Sequence, residues 1–228
     1  PHLPCRPSAP FSEMYDPKEI QPWDGFGDAF IHKPYSHKQQ TLSWETDKLT
    51  WEDDFSHMVA RYYGLVSQLD QAIGRILDAL ERTGQKDNTI VVFTSDHGDM
   101  LGSQGQRDKQ LPHEESIGVP LLMRWPGHIA PGVHDGLIGL VDLPVTAASL
   151  LGLSFTQKTD GTDLSSMALA HGEGLPECYI YDLYACHQAA LKGQWAWRGI
   201  RTDRYTYATR GDGSGWLLFD NEMDPYQM

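Results

Sequence analysis

The stretch TIVVFTSDHGD, residues Thr89–Asp99, decides the fold of this chain. Its run of β-branched and aromatic residues predicts a buried strand that leads directly into Asp96 and His97. Open α/β sheets bind their ligands beyond the carboxyl ends of the strands, so we expect this pair to face a cleft. A carboxylate and an imidazole fixed there can bind a divalent cation. The alternative is an ordinary polar turn, in which Gly98 supplies backbone freedom.

The elements around this strand indicate an α/β fold. Apolar residues recur at spacings of three and four from Trp51 to Thr83, which predicts a long amphipathic helix before the strand. The apolar run Val119–Trp125 predicts a second strand, and its Pro120 indicates an edge strand or a strand start. A further helix is predicted over Val141–Leu151. Helices therefore alternate with strands through the middle of the chain.

The two ends of the chain differ from its middle in composition and in the length of their apolar segments. Residues 1 to about 50 are rich in Pro, His and aromatics without periodicity, which predicts an irregular segment wrapping over a surface. Beyond about residue 165 the apolar segments are short: Cys178–Leu183, Trp195–Thr202, Tyr205–Thr209 and Trp216–Phe219. The linker Gly211–Gly215 predicts a hairpin between two of them, and hence a small antiparallel sheet. We predict an α/β domain over residues 1–165 and a small α+β subdomain over residues 166–228.

Composition excludes several classes of function. The chain has 228 residues and a formal net charge of −13, which argues against nonspecific binding to nucleic acid or anionic lipid. No apolar run approaches the roughly 20 residues of a membrane span. Cys5, Cys178 and Cys186 form neither a metal-binding cluster nor a disulfide framework. The chain begins at Pro1 without a signal peptide, so the biological start is expected elsewhere and the localisation stays open.

An anionic substrate would need local positive charge in so acidic a chain, and Lys109 supplies it 12 residues after His97. It lies in the loop GQRDKQLPHEESIGVP, Gly105–Pro120, which returns to the next predicted strand. An ammonium group there can neutralise charge on a transferred group or a leaving oxygen of an anionic ester. The alternative is a solvated surface cation.

Several segments, in the same order, resemble the sulfatase family of the alkaline phosphatase superfamily. They are TSDHGDMLG (Thr94–Gly102), the lysine loop with Glu114-Glu115-Ser116, Trp125-Pro126-Gly127, the PHxP opening Pro1–Pro4, and Arg201–Tyr205 with Phe219-Asp220 and Asp224-Pro225. The resemblance spans nearly the whole chain. It implies a partial alkaline-phosphatase-like α/β sheet flanked by helices, with a small C-terminal antiparallel β subdomain, and a small anionic sulfate ester as substrate.

The resemblance implies roles for four residues. Asp96 and His97 would bind a divalent cation, usually calcium in this family, with manganese and magnesium as alternatives. Lys109 would contact the sulfate and the leaving-group oxygen. His2 would donate a hydrogen bond to the sulfate or protonate the leaving group. We expect His113 to pack or to lie at the substrate rim, and assign it no role.

Parts of the family pattern are missing. The family's nucleophile is a formylglycine made from Cys or Ser in a C-x-P-x-R motif, but Cys5-Arg6-Pro7-Ser8-Ala9 lacks the arginine, so we interpret Cys5 as incidental. The N-terminal strand with paired aspartates is also absent, and calcium takes roughly six to eight oxygen ligands. We therefore expect the C-terminal half of a sulfatase, inactive alone, whose partner would be the N-terminal half that carries the formylglycine.

Two alternatives remain open. A phosphonate or phosphate ester hydrolase of the same superfamily would share the Asp-His pair and the lysine. A noncatalytic sulfatase-like module would explain the missing nucleophile. The identity of the sulfate ester is not predicted, since Trp23, His32, His37 and Trp44 either line a carbohydrate pocket or anchor the N-terminal segment.

Overall fold

The computed structural model describes residue 2 and residues 4–28, 33, 45–182 and 196–228. The N-terminal segment contains short 3-10 turns at Phe11–Glu13, Pro17–Glu19 and Thr46–Lys48. Its predicted irregular course is confirmed where it is described. The predictions that concern Pro1, Leu3, His32, His37, Trp44, Leu183, Cys186 and Trp195 lie outside the described residues.

The long helix predicted from the apolar spacing is α1, Ser56–Arg82, which follows a π-helical turn at Trp51–Phe55. The π-helical turn is capped by Thr50, whose side-chain oxygen accepts a hydrogen bond from the backbone N–H of Asp53 at 3.1 Å. The chain leaves the helix through Gly84, whose φ of +69° is the left-handed conformation that glycine tolerates. Within the described part of the chain, no helix is both long and apolar enough to span a bilayer.

The apolar face of α1 is buried at one end and exposed at the other. Phe55 and Val59 are buried, where the N-terminal turns pack against the helix. Val66, Leu69 and Ile76 are between 42 % and 60 % exposed. The described residues therefore cover only part of the face that the spacing predicted as buried.

The strand predicted from Thr89 is β1, Val91–Thr94, and it pairs antiparallel with β2, Leu121–Arg124. Pro120 immediately precedes β2, as expected for a proline at a strand start. The strand predicted to be buried is only partly buried in the described part of the chain. There β2 is its one sheet neighbour, and Val92 is 40 % exposed.

The helix predicted over Val141–Leu151 is α3, Leu143–Leu150, entered through a 3-10 turn at Leu140–Asp142. The short helix α2, Glu114–Ile117, precedes it within the lysine loop, and α4, Ser165–Ala168, follows it. The helix α4 begins at Ser165, next to the predicted boundary between residues 165 and 166. The division into two subdomains stays a prediction.

The C-terminal region contains the predicted antiparallel sheet. Its strands pair in the order β3-β4-β5-β6. They are β3 Glu177–Asp182, β4 Trp197–Thr202, β5 Tyr205–Arg210 and β6 Gly215–Asp220. The glycine-rich linker joins β5 to β6 as a hairpin. Trp197, Ala208, Leu217 and Phe219 form its buried core, against which Ile117 of α2 packs. The core therefore places this sheet beside the lysine loop.

Candidate active site

Asp96 and His97 lie in the turn that follows β1. The backbone N–H of His97 donates to Asp96 Oδ1 at 3.0 Å, and Ser95 Oγ donates to the carbonyl oxygen of His97 at 2.8 Å. The Asp96 side chain is 84 % exposed and the His97 side chain is 34 % exposed, with Nε2 of His97 3.5 Å from Asp96 Oδ2. Burial acts to raise the pKa of the Asp96 carboxyl, but His97 and the hydrogen bonds outweigh it and lower the pKa. The turn thus presents an ionised carboxylate beside an imidazole.

Gly98 packs the strand end directly against α2. Its N–H donates to the carbonyl oxygen of Ser116 at 2.9 Å. A Cβ at this position would lie 2.0 Å from the carbonyl oxygen of Glu115. The tripeptide therefore needs glycine for a close backbone approach. Gly98 does not have the positive φ that its interpretation as a turn residue implied.

Residues 100–108, which lead into the lysine loop and overlap its start, form a compact structure built on backbone hydrogen bonds. Met100 N–H donates to the carbonyl oxygen of Asp108 at 2.7 Å, and Gly102 N–H donates to that of Gln106 at 2.7 Å. Met100 is fully buried. Such a loop holds Lys109 at a defined position on its surface.

Trp23 anchors the N-terminal segment to this loop. Its indole Nε1 donates to Ser103 Oγ at 2.7 Å, and its ring contacts Phe26 and Trp51 edge to face. Thr46 Oγ1 adds a hydrogen bond of 2.6 Å to the carbonyl oxygen of Gly105. Of the two interpretations of the aromatic N-terminal segment, these contacts favour anchoring for Trp23.

His2 and Lys109 are brought together although 107 residues separate them, with Nε2 of His2 3.0 Å from Nζ of Lys109. Asp96, His97 and Lys109 line one cavity of about 680 Å³, between the strand ends, residues 136–143 and β3. The two predicted metal ligands and the predicted sulfate-contacting lysine therefore face the same space.

The donor set for a cation is small. No group of three or more His, Cys, Asp or Glu side chains that could hold a metal ion occurs among residues 2, 4–28, 33, 45–182 and 196–228. His97 places Nδ1 2.8 Å from the carbonyl oxygen of Gly98, which leaves Nε2 on the side of the Asp96 carboxylate. This exposed carboxylate and imidazole suit part of a cation shell, since full calcium coordination takes roughly six to eight oxygens.

His113 and Cys5 are packing residues. His113 is fully buried, with its ring centroid 5.2 Å from that of Phe219. Cys5 is 5 % exposed, and burial, with Asp99 nearby, raises the pKa of its thiol. A protonated, enclosed thiol is a poor nucleophile in its own right.

Sequence reasoning missed the residues that hold α2 in place. Arg201 Nε of β4 donates to Glu114 Oε1 at 2.6 Å, and the Gln227 side chain accepts from the backbone N–H of Glu114 at 2.9 Å. Gln227 is fully buried and donates through Nε2 to Asn221 Oδ1 at 2.8 Å. The paired residues are 87 and 113 positions apart in the sequence, so no local sequence pattern indicates these contacts.

Two family models match the chain: Sulfatase over residues 2–153, and N-sulphoglucosamine sulphohydrolase, C-terminal, over residues 102–228. An ulvan-active sulfatase of Formosa agariphila is 36% identical over 73% of this chain and 33% of its own length. An endo-4-O-sulfatase of Bacteroides thetaiotaomicron is 34% identical over 75% of this chain and 36% of its own length. The chain belongs to the sulfatase family.

Solved structures agree with the fold. A putative sulfatase of Bacteroides fragilis superposes with a TM-score of 0.69 at 30% identity, over 86% of this chain and 45% of that one. A phosphonate monoester hydrolase of Agrobacterium radiobacter superposes with a TM-score of 0.79 at 24% identity, over 100% of this chain and 50% of that one. The chain thus spans about a third of these curated relatives and about half of these solved chains.

Proposed function

We propose that the protein containing this chain hydrolyses a sulfate monoester and that this chain supplies part of the active site. The observation that carries the proposal is the cavity shared by Asp96, His97 and Lys109, with His2 in contact with the lysine. Relatives that are named as sulfatases support the class of reaction. A small anionic sulfate ester is the proposed substrate.

Asp96 and His97 are proposed to bind a divalent cation, with calcium preferred and manganese or magnesium as alternatives. When bound, the cation would supply Lewis-acid stabilisation of negative charge on the ester. The support from this chain is the closeness of the two side chains, with Nε2 of His97 3.5 Å from Asp96 Oδ2. The other ligands are proposed to come from the rest of the protein.

Lys109 and His2 are proposed to act on the sulfate and on the leaving oxygen. A charged ammonium donates but cannot accept, so at 3.0 Å the His2 Nε2 must act as the acceptor while Lys109 is charged. The Lys109 ammonium would then stabilise charge on the leaving oxygen. His2 would hold or deliver a proton at the same place only when its Nε2 no longer accepts from the lysine and is itself protonated.

This chain is proposed to be the C-terminal part of a longer enzyme and to be inactive alone. Its share of the relatives' length supports this, as do the half-exposed apolar residues Val66, Leu69 and Ile76 on α1 and Val92 on β1, which another part of the fold could cover. The missing arginine in the segment after Cys5 supports the proposal that the formylglycine lies outside this chain.

The test is turnover of an aryl sulfate by the full-length protein, with and without removal of divalent cations. Lys109→Ala should lower kcat/KM by about 100- to 1000-fold, the range for loss of one charge-stabilising donor. Lys86→Ala is the matched control, because Lys86 pairs with Glu81 at 3.0 Å and does not line the cavity. Equal activity of the two variants would refute the role of Lys109.

The fragment proposal has its own test. The isolated 228-residue chain should show no turnover. Turnover that survives Cys5→Ala would refute the proposal, whereas turnover that is lost with Cys5 would restore the incomplete motif as the source of the nucleophile.

A phosphonate or phosphate ester hydrolase is the second candidate, favoured by the fold similarity to the phosphonate monoester hydrolase. Matched sulfate and phosphonate esters with the same leaving group separate the two reactions, and metal analysis of the purified protein identifies the ion. If the full-length protein turns over neither ester, a noncatalytic module becomes the better explanation.

A further inference from the structure

The backbone on both sides of Lys109 is in an unfavourable conformation. Asp108 has a φ of +66° and Gln110 has a φ of +79°, and neither residue is glycine. Side chains rarely adopt this left-handed region because Cβ crowds the backbone, so surrounding contacts must hold it. Two such residues flank one lysine. The fold therefore fixes the direction of the lysine at a cost in backbone conformational energy.

Two hydrogen bonds hold the strained segment, one on each side of the lysine. The carbonyl oxygen of Asp108 accepts from Met100 N–H at 2.7 Å. The carbonyl oxygen of Gln110 accepts from the indole Nε1 of Trp197 at 2.8 Å, across 87 residues of sequence. The first bond is internal to the loop, whereas the second comes from β4 of the C-terminal sheet.

Trp197 is a rigid support for this contact. It is 4 % exposed and packs in the core of the sheet with Ala208, Leu217 and Phe219. Its strand is paired on both sides, with Trp197 opposite Asp182 of β3 and Arg210 of β5. Trp197, Gln110 and Lys109 all line the cavity that contains Asp96 and His97.

We propose that Trp197 is a positioning residue for Lys109, so that the C-terminal sheet sets where the ammonium group meets the substrate. This inference rests on the proposed sulfate ester hydrolysis. In that reaction the sulfur–oxygen bond to the alcohol breaks and its electron pair stays on the leaving oxygen, while water supplies the new oxygen on sulfur and the proton on the alcohol. Lys109 stabilises the charge on the leaving oxygen, and Trp197 acts only through the lysine.

The dependence of rate on the leaving group separates positioning from general stability. A poor leaving group of high pKa develops more charge that needs stabilisation, so displacement of Lys109 should slow it most. A variant that merely reduces the amount of folded enzyme slows every ester by the same factor.

The experiment is Trp197→Phe in the full-length enzyme, assayed on aryl sulfates that span a range of leaving-group pKa. Phenylalanine keeps an aromatic ring in the core but lacks the N–H donor. We expect kcat/KM to fall about 10- to 100-fold for the poorest leaving group, as for an ångström-scale misplacement, and much less for the best one. Trp216→Phe is the matched control, since Trp216 packs against the same core and does not line this cavity. It should keep the wild-type dependence.

A uniform decrease across the series, or no decrease, would overturn the positioning role. If Trp197→Phe does not fold, Trp197→Met replaces it, because methionine fills the core with a flexible apolar side chain and lacks the N–H donor, and it should steepen the same dependence. An unchanged slope in that variant also overturns the inference. Wild-type enzyme without sulfate ester turnover would instead refute the proposed function itself.

Discussion

The contact between Gly98 and α2 leads to the sharpest prediction about the candidate site. A Cβ added at Gly98 would lie 2.0 Å from the carbonyl oxygen of Glu115 and 3.0 Å from its carbonyl carbon, both of which are backbone atoms. Real Cβ atoms essentially never come within 3.0 Å of a neighbour, so Gly98→Ala must separate the strand end from α2 by about 1 Å. The hydrogen bond from Gly98 N–H to Ser116 would be stretched by the same movement.

The magnitude follows from this displacement. Overpacking of a close contact costs about 1–3 kcal/mol of stability, and an ångström-scale shift of catalytic groups lowers kcat/KM by about 100-fold. Because Asp96 and His97 directly precede Gly98, we expect weaker binding of the divalent cation as well. The assays are kcat/KM on an aryl sulfate and urea denaturation of the full-length protein.

Gly74→Ala is the control for this prediction. Gly74 lies within α1 and a Cβ there would meet no atom within 4 Å, so alanine should stabilise the helix by about 0.5–1 kcal/mol and leave turnover unchanged. Wild-type activity and stability in Gly98→Ala would refute the argument that glycine is required for the strand end to reach α2.

Two further predictions concern buried polar groups. Gln227→Ala should cost about 1–3 kcal/mol in urea denaturation, because the N–H of Glu114 loses the acceptor it has at 2.9 Å; an unchanged denaturation midpoint would contradict this. Burial raises the pKa of the Asp99 carboxyl, so the folded state holds this proton more tightly and stability falls as pH rises through the unfolded and then the folded pKa. Asp99→Asn keeps an acceptor for the N–H of Leu101, which donates to Asp99 at 3.0 Å, and its stability relative to wild type should increase from acid to neutral pH. An equal difference at both pH values would refute this assignment.

The features that sequence predicted well depend on local patterns. The spacing of apolar residues gave α1 to within a turn, and the glycine-rich linker predicted the hairpin between β5 and β6. The roles predicted for Asp96, His97 and Lys109 stay predictions, and the structure adds that these three residues line one cavity.

The features that sequence missed depend on contacts between distant segments. Trp197 reads as an ordinary core residue in an alternating strand, and nothing near it indicates that its indole reaches the Gln110 carbonyl oxygen 87 residues earlier. Gln227 is a polar residue of a type that is usually exposed, yet it is fully buried. Both act by donating to or accepting from the backbone of the lysine loop, and backbone groups have no sequence signature.

The burial predicted for β1 is only partly observed for a related reason. A run of β-branched residues indicates that a strand will be covered, but it does not identify the covering segment. Val92 on β1 and Ile76 on α1 are 40 % and 60 % exposed although their patterns predict burial. If the proposed N-terminal part covers them, both should become protected in the full-length protein. Exposure of both side chains in the full-length enzyme, measured by cysteine substitution and thiol labelling, would refute the prediction that this part covers them.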